Sequence, residues 1–208
     1  MNEKNEIDPR LKSVYENKLD KTDLYDKWAS TYDEDLINDL GYVADQKACE
    51  ILSELVTDKS AYILDAGCGT GLVGGRLRSA GYQNIDGSDF STGMLEKAKD
   101  TNVYNNLFQH DLTKPLALQT PYAALIAVGV FGFNTPSFEH LGHLTDCLVL
   151  NGYAVVTVNG KAWDDNNWQK RINEFSLYYP NVQLHKIVTI EYLTTDGIDG
   201  QVLVLQKK

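Results

Sequence analysis

The fold of this chain is decided by a glycine-rich stretch that reads Ile63-Leu64-Asp65-Ala66-Gly67-Cys68-Gly69-Thr70-Gly71. An apolar run at 61–65 predicts a buried strand before it, and residues 72–80 predict a helix that stops at Gly81. Glycines between a strand and a helix accept backbone angles closed to other residues and let a ligand approach the main chain. In doubly wound sheets, ligands bind at such turns, beyond the carboxyl ends of the strands. The stretch therefore predicts a ligand-binding turn in an α/β fold.

Strands and helices continue to alternate after this turn. Further strands are predicted at 84–89, 107–110, 123–130 and 153–158, and helices at 92–99, 138–150 and 163–178. Two β-rich runs, 182–192 and 201–207, are joined by a turn at 194–197 and predict an antiparallel hairpin. We therefore expect a doubly wound, mostly parallel α/β sheet with an antiparallel last strand.

The chain length of 208 residues fits one domain. Residues 1–20 are highly charged and are expected to form a flexible extension. Residues 21–208 then form one domain, with an N-terminal helical part at 21–58 and the sheet-containing core at 59–208. A helix is predicted over 35–56 from the spacing of its apolar residues.

The composition narrows the class of protein. The net charge is −10, which argues against a partner bound mainly through phosphate groups, so no nucleic acid is expected. Three scattered cysteines do not suggest a disulfide framework. The N-terminus lacks the pattern of a signal peptide, and no run is long enough to span a membrane. We expect a cytoplasmic protein with no membrane partner.

Two ligand classes compete at the glycine-rich turn. Residues 69–74 match the dinucleotide pattern G-x-G-x-x-G. The first glycine of that pattern normally follows the strand almost directly, which here is Gly67, and counting from Gly67 puts Leu72 where the third glycine belongs. The turn alone therefore does not decide whether the ligand is a nicotinamide dinucleotide or another adenosyl compound.

The turn also resembles motif I of the class I S-adenosylmethionine-dependent methyltransferases, through Asp65-x-Gly67-x-Gly69-x-Gly71. The segment Tyr25-Asp26-x-Trp28-Ala29-x-x-Tyr32-Asp33, taken with residues 69–73, resembles the methyltransferase-like proteins of the Williams–Beuren region family. The resemblance implies S-adenosylmethionine as cofactor and a seven-stranded, Rossmann-like sheet whose last strand is antiparallel.

Acidic residues at the strand ends are candidates for holding the adenosyl group. Asp89 ends the second strand, where its carboxylate can accept hydrogen bonds from ribose hydroxyls. Dinucleotide-binding folds also have an acidic residue at the end of the second strand, so Asp89 does not distinguish between the two cofactors. Asp86, in the same strand, is expected to face solvent. Asp111 resembles the residue that accepts from the adenine amino group, with a turn residue as the alternative.

The resemblance implies further cofactor contacts. Phe90 and Met94 resemble the apolar residues that flank adenine, although simple core packing is an equal alternative. Tyr25, Trp28 and Tyr32 resemble a lid over the methionine part, where aromatic faces attract a sulfonium cation. The remaining predicted cofactor contacts belong to the turn and to strand ends: Asp65, Gly67, Cys68, Gly69, Leu112, Val128 and Gly129.

Methyl transfer is an in-line displacement that needs alignment more than acid–base groups. No catalytic residue is therefore assigned, although His110 is a candidate base, with an ordinary strand-end histidine as the alternative. The spacing of His140 and His143 suggests no metal site, because no further ligand follows at a suitable spacing. The expected substrate pocket follows the fourth and fifth strands and includes Phe131, Phe133, Asn159 and Trp163.

Three functions remain open at this point. The first is a methyltransferase that acts on a small molecule, favoured by the acidic charge and by the absence of an Asn-Pro-Pro-Tyr-type motif after the fourth strand. The second is an NAD-dependent oxidoreductase. The third is a non-catalytic module that binds S-adenosylmethionine. One departure from the methyltransferase pattern is that Tyr122-Ala123 stands where a Phe-Asp pair usually starts the fourth strand.

Overall fold

The structure is a computed structural model that describes residues 41–116, 121–132, 136–195 and 197–208. Its elements are, in chain order, α1 (Ala44–Leu55), β1 (Tyr62–Ala66), α2 (Leu72–Ser79), β2 (Asn84–Asp89), α3 (Thr92–Asp100), β3 (Asn106–Gln109), β4 (Tyr122–Phe131), a 3₁₀ helix (Phe138–His140), α4 (Leu141–Asp146), β5 (Leu148–Asn159), α5 (Gly160–Asp165), α6 (Trp168–Asn173), α7 (Phe175–Tyr178), β6 (Val182–Leu193) and β7 (Ile198–Lys207). In this part of the chain, no helix is long and apolar enough to cross a membrane.

The strands form one seven-stranded sheet in the order β3-β2-β1-β4-β5-β7-β6. From β3 to β5 all neighbours are parallel, whereas β7 is antiparallel to both β5 and β6. This confirms the predicted doubly wound sheet and its antiparallel ending. The chain runs outward from β1 to β3 and returns on the other side of β1 as β4. The strand order therefore reverses between β1 and β4, which opens a crevice at their carboxyl ends.

Each face of the sheet carries its own apolar core. Helices α1 and α2 cover one face with side chains such as Leu52 and Leu77, which belong to the same apolar cluster as Ile126 of β4. The 3₁₀ helix and α6 cover the other face with Phe138 and Trp168. The central strand β4 is buried on both faces, which explains its continuous apolar sequence.

The predicted helix over 35–56 begins later than expected. In the described residues it starts at Ala44, because the preceding Tyr42 forms an antiparallel bridge with Leu193 at the end of β6. Gly41 has a φ of 62°, which a helix does not accommodate. Residues 35–40 lie outside the described residues.

Two other predicted helices are interrupted. The helix expected over 138–150 ends at Asp146, because the Tyr122 backbone N–H donates to the Cys147 carbonyl (2.9 Å) and draws the following residues into β5. The helix expected over 163–178 is three short helices. Asn167 breaks it with a φ of 54°, a left-handed conformation that asparagine tolerates.

The expectation that Asp86 faces solvent is wrong. Its side chain is buried, with Oδ2 accepting from the Tyr122 hydroxyl (2.8 Å) and Oδ1 accepting from the Asn106 backbone N–H (3.1 Å) and side-chain amide (2.9 Å). Tyr122 begins β4, 36 positions away. The hydrogen bond from Tyr122, although it comes from far along the chain, offsets the free-energy cost of burying the carboxylate. The tyrosine that departs from the methyltransferase pattern thus has a structural partner here.

Candidate cofactor and substrate site

The glycine-rich turn leaves β1 in a conformation that only glycine adopts easily. Gly67, Gly69 and Gly71 have φ angles of 78°, 53° and 104°. The backbone N–H groups of Gly67 and Cys68 both donate to the Ser88 carbonyl of β2, at 2.7 and 2.9 Å. The turn is therefore held against the carboxyl end of the neighbouring strand.

Asp89 links the turn to the start of α3. Its Oδ2 accepts from the Gly69 backbone N–H and its Oδ1 accepts from the Ser91 backbone N–H, both at 2.9 Å. Ser91 caps α3 by accepting from the Met94 backbone N–H at 3.1 Å. A carboxylate accepts up to about four hydrogen bonds, so Asp89 can hold these backbone groups and ribose hydroxyls together.

Gly67 lets the turn approach the end of β4. A Cβ at this position would lie 2.2 Å from Val130 Cγ1, so no larger residue fits unless the Val130 side chain moves. At Gly69, by contrast, no described atom lies within 4 Å of the Cβ position. One glycine of the turn is thus needed for packing, and the next presents bare backbone to open space at the switch-point crevice.

Asp65 faces away from that open space. It is buried below the turn, on the face of the sheet covered by α2, where its Oδ2 accepts from the Tyr104 hydroxyl at 2.7 Å. The Tyr104 ring fills the space above Gly74, where a Cβ would lie 2.4 Å from the ring, and also contacts Gly71 and Gly87. Gly74 therefore has a packing reason to be glycine, which accounts for its match to the third glycine of the dinucleotide pattern.

Burial raises the pKa of Asp65 to about 7, and the nearby Asp89 carboxylate adds to the effect, while the Tyr104 hydrogen bond opposes it. Between about pH 4 and pH 7 the folded protein keeps a proton that the unfolded chain releases. The free energy of unfolding therefore decreases as pH rises through this window.

We expect the free energy of unfolding of the Asp65→Asn variant not to decrease in this way as pH rises, because an amide has the same shape as a carboxyl group but does not ionise. Between about pH 4 and pH 7, the wild type should lose on the order of 2–4 kcal/mol relative to the variant. Urea denaturation at several pH values measures the difference. Parallel pH profiles for the two proteins would mean that Asp65 is ionised throughout.

Phe90 and Met94, the apolar residues predicted to flank adenine, lie at the start of α3, and Leu112, another predicted cofactor contact, follows β3. Met94 and Leu112 are buried, and Phe90, which follows Asp89, is half-buried. Asp111 is exposed, and its Oδ1 accepts from the Thr113 backbone N–H (2.9 Å) and hydroxyl (2.7 Å). These bonds stabilise the local turn, which is the role that the sequence offered as the alternative to adenine binding. Adenine binding by Asp111 stays a prediction.

His110 also has a local structural role. Its Nε2 lies 3.3 Å from the Lys114 carbonyl, which can only accept, so Nε2 carries the proton. Its backbone N–H donates to the Asp89 carbonyl at 2.9 Å, which keeps the residue beside β2. The contacts match the strand-end histidine that was the alternative, and a role as base remains a prediction.

Three predicted pocket residues lie behind the surface rather than on it. Phe131 and Trp163 are buried against Trp168, with ring centroids 6.0 and 5.8 Å from its ring. Asn159 is buried and caps α5 by accepting from the Lys161 backbone N–H at 3.0 Å. The fourth residue, Phe133, lies outside the described residues, as do the predicted lid residues Tyr25, Trp28 and Tyr32 and the extension at 1–20.

A cleft of about 380 Å³ opens in front of this aromatic wall, beyond the ends of β4 and β5. Gly132, Ser137 and Trp168 line it, and an ion pair between Glu139 and Arg171 lies at its edge. Partial burial works to raise the pKa of Glu139, but hydrogen bonds from Arg171 and Ser137 outweigh it and lower the pKa to about 2. The sequence analysis missed Ser137, Glu139 and Arg171, because no motif marks them and they come together only through the packing of α6.

The residues at the crevice fit an adenosyl group. The turn offers open backbone at Gly69, an oriented carboxylate at Asp89 lies beside it, and the half-buried Phe90 follows. Val128 is buried in β4, and Gly129, at the end of this strand, is exposed. The arrangement combines acceptors for ribose hydroxyls with apolar surface, as an adenosyl ligand requires.

Comparisons with known proteins agree with this geometry. The sequence profile of the methyltransferase domain family matches residues 63–152, which run from β1 to the start of β5. Human methyltransferase-like protein 27 is 42% identical over 89 residues, which cover 42% of this chain. The chain matches only 36% of the length of that protein.

Solved structures share the fold over most of the chain. A TehB-like S-adenosylmethionine-dependent methyltransferase from Corynebacterium glutamicum has a TM-score of 0.65 at 20% identity and covers 89% of this chain and 99% of its own. Magnesium protoporphyrin IX methyltransferase from Synechocystis, solved with bound S-adenosylhomocysteine, has a TM-score of 0.55 at 14% identity, with 96% and 94% coverage.

Proposed function

We propose that this chain is a class I S-adenosylmethionine-dependent methyltransferase and that it transfers a methyl group from S-adenosylmethionine to a small-molecule acceptor. The methyltransferase family match over residues 63–152 supports the first part of this proposal. The observation that carries the proposal is the pairing of Asp89 with the open glycine-rich turn at the switch point of the sheet. The cleft beyond β4 and β5 lies at the same edge of the sheet and provides room for an acceptor.

The cofactor would be held by the residues of the crevice. S-adenosylmethionine supplies a methyl group that its sulfonium already activates. We assign Asp89 to the ribose hydroxyls and the backbone of Gly67 and Gly69 to the methionine part. Phe90 and Met94 supply apolar surface for adenine, and Asp111 remains our candidate for its amino group. The chain's task is to orient both reactants, which can lower the barrier by about 7–11 kcal/mol.

Asp65 lies below the turn, so it would act on the cofactor electrostatically rather than by contact, and only in its ionised form, which gains population above about pH 7. Two carboxylates, Asp65 and Asp89, stand close enough to influence each other. A cationic cofactor near them is favoured electrostatically.

A small-molecule acceptor is supported by size and charge. The cleft volume of about 380 Å³ falls in the range of small-molecule pockets. The net charge of −10 disfavours a nucleic-acid partner. All three cysteines are free, as is usual in a reducing compartment, and a cytoplasmic location is part of the proposal.

Calorimetry with S-adenosylmethionine, S-adenosylhomocysteine and NADH tests the cofactor. We expect binding of both adenosyl ligands and none of NADH. Tritium-labelled S-adenosylmethionine, incubated with the small-molecule fraction of a cell extract, tests the reaction, and we expect labelled products. Absence of heat with either adenosyl ligand would contradict the cofactor assignment. Binding without any labelled product would favour a non-catalytic module instead.

A further inference from the structure

Two phenol groups stand beside Gly129, at the carboxyl end of β4. Gly129 is exposed and has a φ of 76°. A Cβ at this position would lie 3.0 Å from the Tyr42 hydroxyl oxygen and 3.9 Å from that of Tyr192. The missing side chain therefore leaves room for the Tyr42 hydroxyl at the end of the strand that borders the crevice, and the Tyr192 hydroxyl lies at ordinary contact distance behind it.

A chain of hydrogen bonds connects these hydroxyls to the backbone of β4. The Gly129 N–H donates to Thr157 Oγ1 at 3.0 Å, and Thr157 is fully buried in β5. The Tyr192 hydroxyl is hydrogen-bonded to both Thr157 and Tyr42. A hydroxyl oxygen has two lone pairs, so the Tyr42 oxygen can accept a hydrogen bond from a ligand in addition to its bond with Tyr192, whichever of the two hydroxyls donates.

The two tyrosines are held rigidly. Their rings pack edge to face with centroids 5.5 Å apart, and the Val43 N–H donates to the Tyr192 carbonyl at 3.4 Å. On its other side Tyr192 packs on Gly200 of β7, where a Cβ would lie 2.4 Å from the ring. Tyr192 is buried whereas Tyr42 is partly exposed, so the Tyr42 hydroxyl is the outermost member of the chain.

We propose that Tyr42 binds the methyl acceptor and that its hydroxyl oxygen accepts a hydrogen bond from the acceptor's nucleophilic N–H or O–H group. This inference rests on the proposed function. The turn that would hold the cofactor lies against Val130, the residue next to Gly129, so the Tyr42 hydroxyl is at the same end of β4 as the cofactor site. Tyr42 does not line the cleft at Gly132 and Trp168, so an acceptor in that cleft would extend past the end of β4 to reach it. Tyr192 and Thr157 are positioning residues that aim the Tyr42 oxygen.

The neutral hydroxyl groups of Tyr42 and Tyr192 limit the class of methyl acceptor. Burial raises the pKa of Tyr192, so this hydroxyl stays protonated and the chain supplies neutral hydrogen-bonding groups. A neutral acceptor oxygen orients a nucleophile that carries a hydrogen, such as an amine N–H or a hydroxyl. The methyl group replaces that hydrogen, which leaves as a proton to solvent water, and Tyr42 stays protonated throughout. Thioethers and tertiary amines carry no such hydrogen, and we expect them not to be substrates.

The experiment uses the full chain, tritium-labelled S-adenosylmethionine and the small-molecule fraction of a cell extract, with products identified by mass spectrometry. We compare Tyr42→Phe with Tyr62→Phe, an exposed tyrosine at the opposite end of β1. We expect Tyr42→Phe to lower the initial rate at limiting acceptor by about five- to tenfold, the loss of about one hydrogen bond. Adenosylhomocysteine affinity should stay within about twofold, and Tyr62→Phe should match the wild type.

The positioning residues provide a second comparison. We expect Tyr192→Phe and Thr157→Val to lower the rate by about threefold each, whereas Thr157→Ser, which keeps the hydroxyl, should restore it. Every labelled product should carry its methyl group on a nitrogen or oxygen that bore a hydrogen.

Several outcomes would overturn the inference. One is a Tyr42→Phe variant as active as Tyr62→Phe, and another is a sulfonium or quaternary ammonium product. Loss of adenosylhomocysteine binding in a folded Tyr42→Phe variant would assign Tyr42 to the cofactor instead. A wild type that yields no labelled product fails at the proposed function, before any variant is compared, and the role of Tyr42 falls with it.

Discussion

The Asp89→Ala variant is expected to bind S-adenosylhomocysteine at least about tenfold more weakly than the wild type. A charge-assisted hydrogen bond contributes about 1.5–3 kcal/mol, and the loss of one such bond to a ribose hydroxyl accounts for this factor. The substitution also leaves the Gly69 N–H without its 2.9 Å partner, which loosens the turn. Titration calorimetry measures the change in dissociation constant.

Asp86→Asn is the matched control for this result. Asp86 belongs to the same strand and is also buried, but its partners are Tyr122 and Asn106, away from the turn. We expect this variant to melt at a lower temperature and to keep an S-adenosylhomocysteine affinity within about twofold of the wild type. Equal losses of affinity in both variants would show that the effect reports stability and that Asp89 does not hold the ribose.

The Gly74→Ala variant is expected to lose about 1–3 kcal/mol of the free energy of unfolding through overpacking. Its Cβ would lie 2.4 Å from the Tyr104 ring, and the ring cannot move without drawing its hydroxyl away from the buried Asp65. A buried carboxyl group that loses its Tyr104 hydrogen bond adds to the cost. Urea denaturation measures the difference.

The adjacent Gly75, in the same helix, is expected to have the opposite effect on the free energy of unfolding when it is replaced by alanine. No described atom lies within 4 Å of a Cβ at Gly75. Because alanine is the better helix former, Gly75→Ala should gain about 0.5–1 kcal/mol. Effects of the same sign in both variants would contradict the packing role of Gly74. The predicted pair of effects would explain its match to the dinucleotide pattern without a pyrophosphate ligand.

Predictions from local sequence were accurate where one signal decides an element. The glycine-rich turn, the continuous apolar β4 and the terminal hairpin were each predicted from adjacent residues and are present in the structure. The boundaries of α1 and α4 were wrong, because the bridge from Tyr42 to Leu193 and the bond from Tyr122 to Cys147 join distant parts of the chain. Backbone hydrogen bonds of that kind outweigh the preference of a local pattern for helix.

The sequence by itself determined the order of strands and helices, and through the spacing of Gly67, Gly69 and Gly71 it determined where a ligand meets the sheet. Those signals are local, since backbone freedom and apolar periodicity are properties of neighbouring residues. Only the tertiary structure decided which polar groups pair beneath and beside that turn. Tyr104 reaches Asp65 across 39 positions, Tyr122 reaches Asp86 across 36, and the Gly129 N–H reaches Thr157 across 28. Burying a polar group is costly unless a partner meets it, and packing, rather than spacing along the chain, selects that partner.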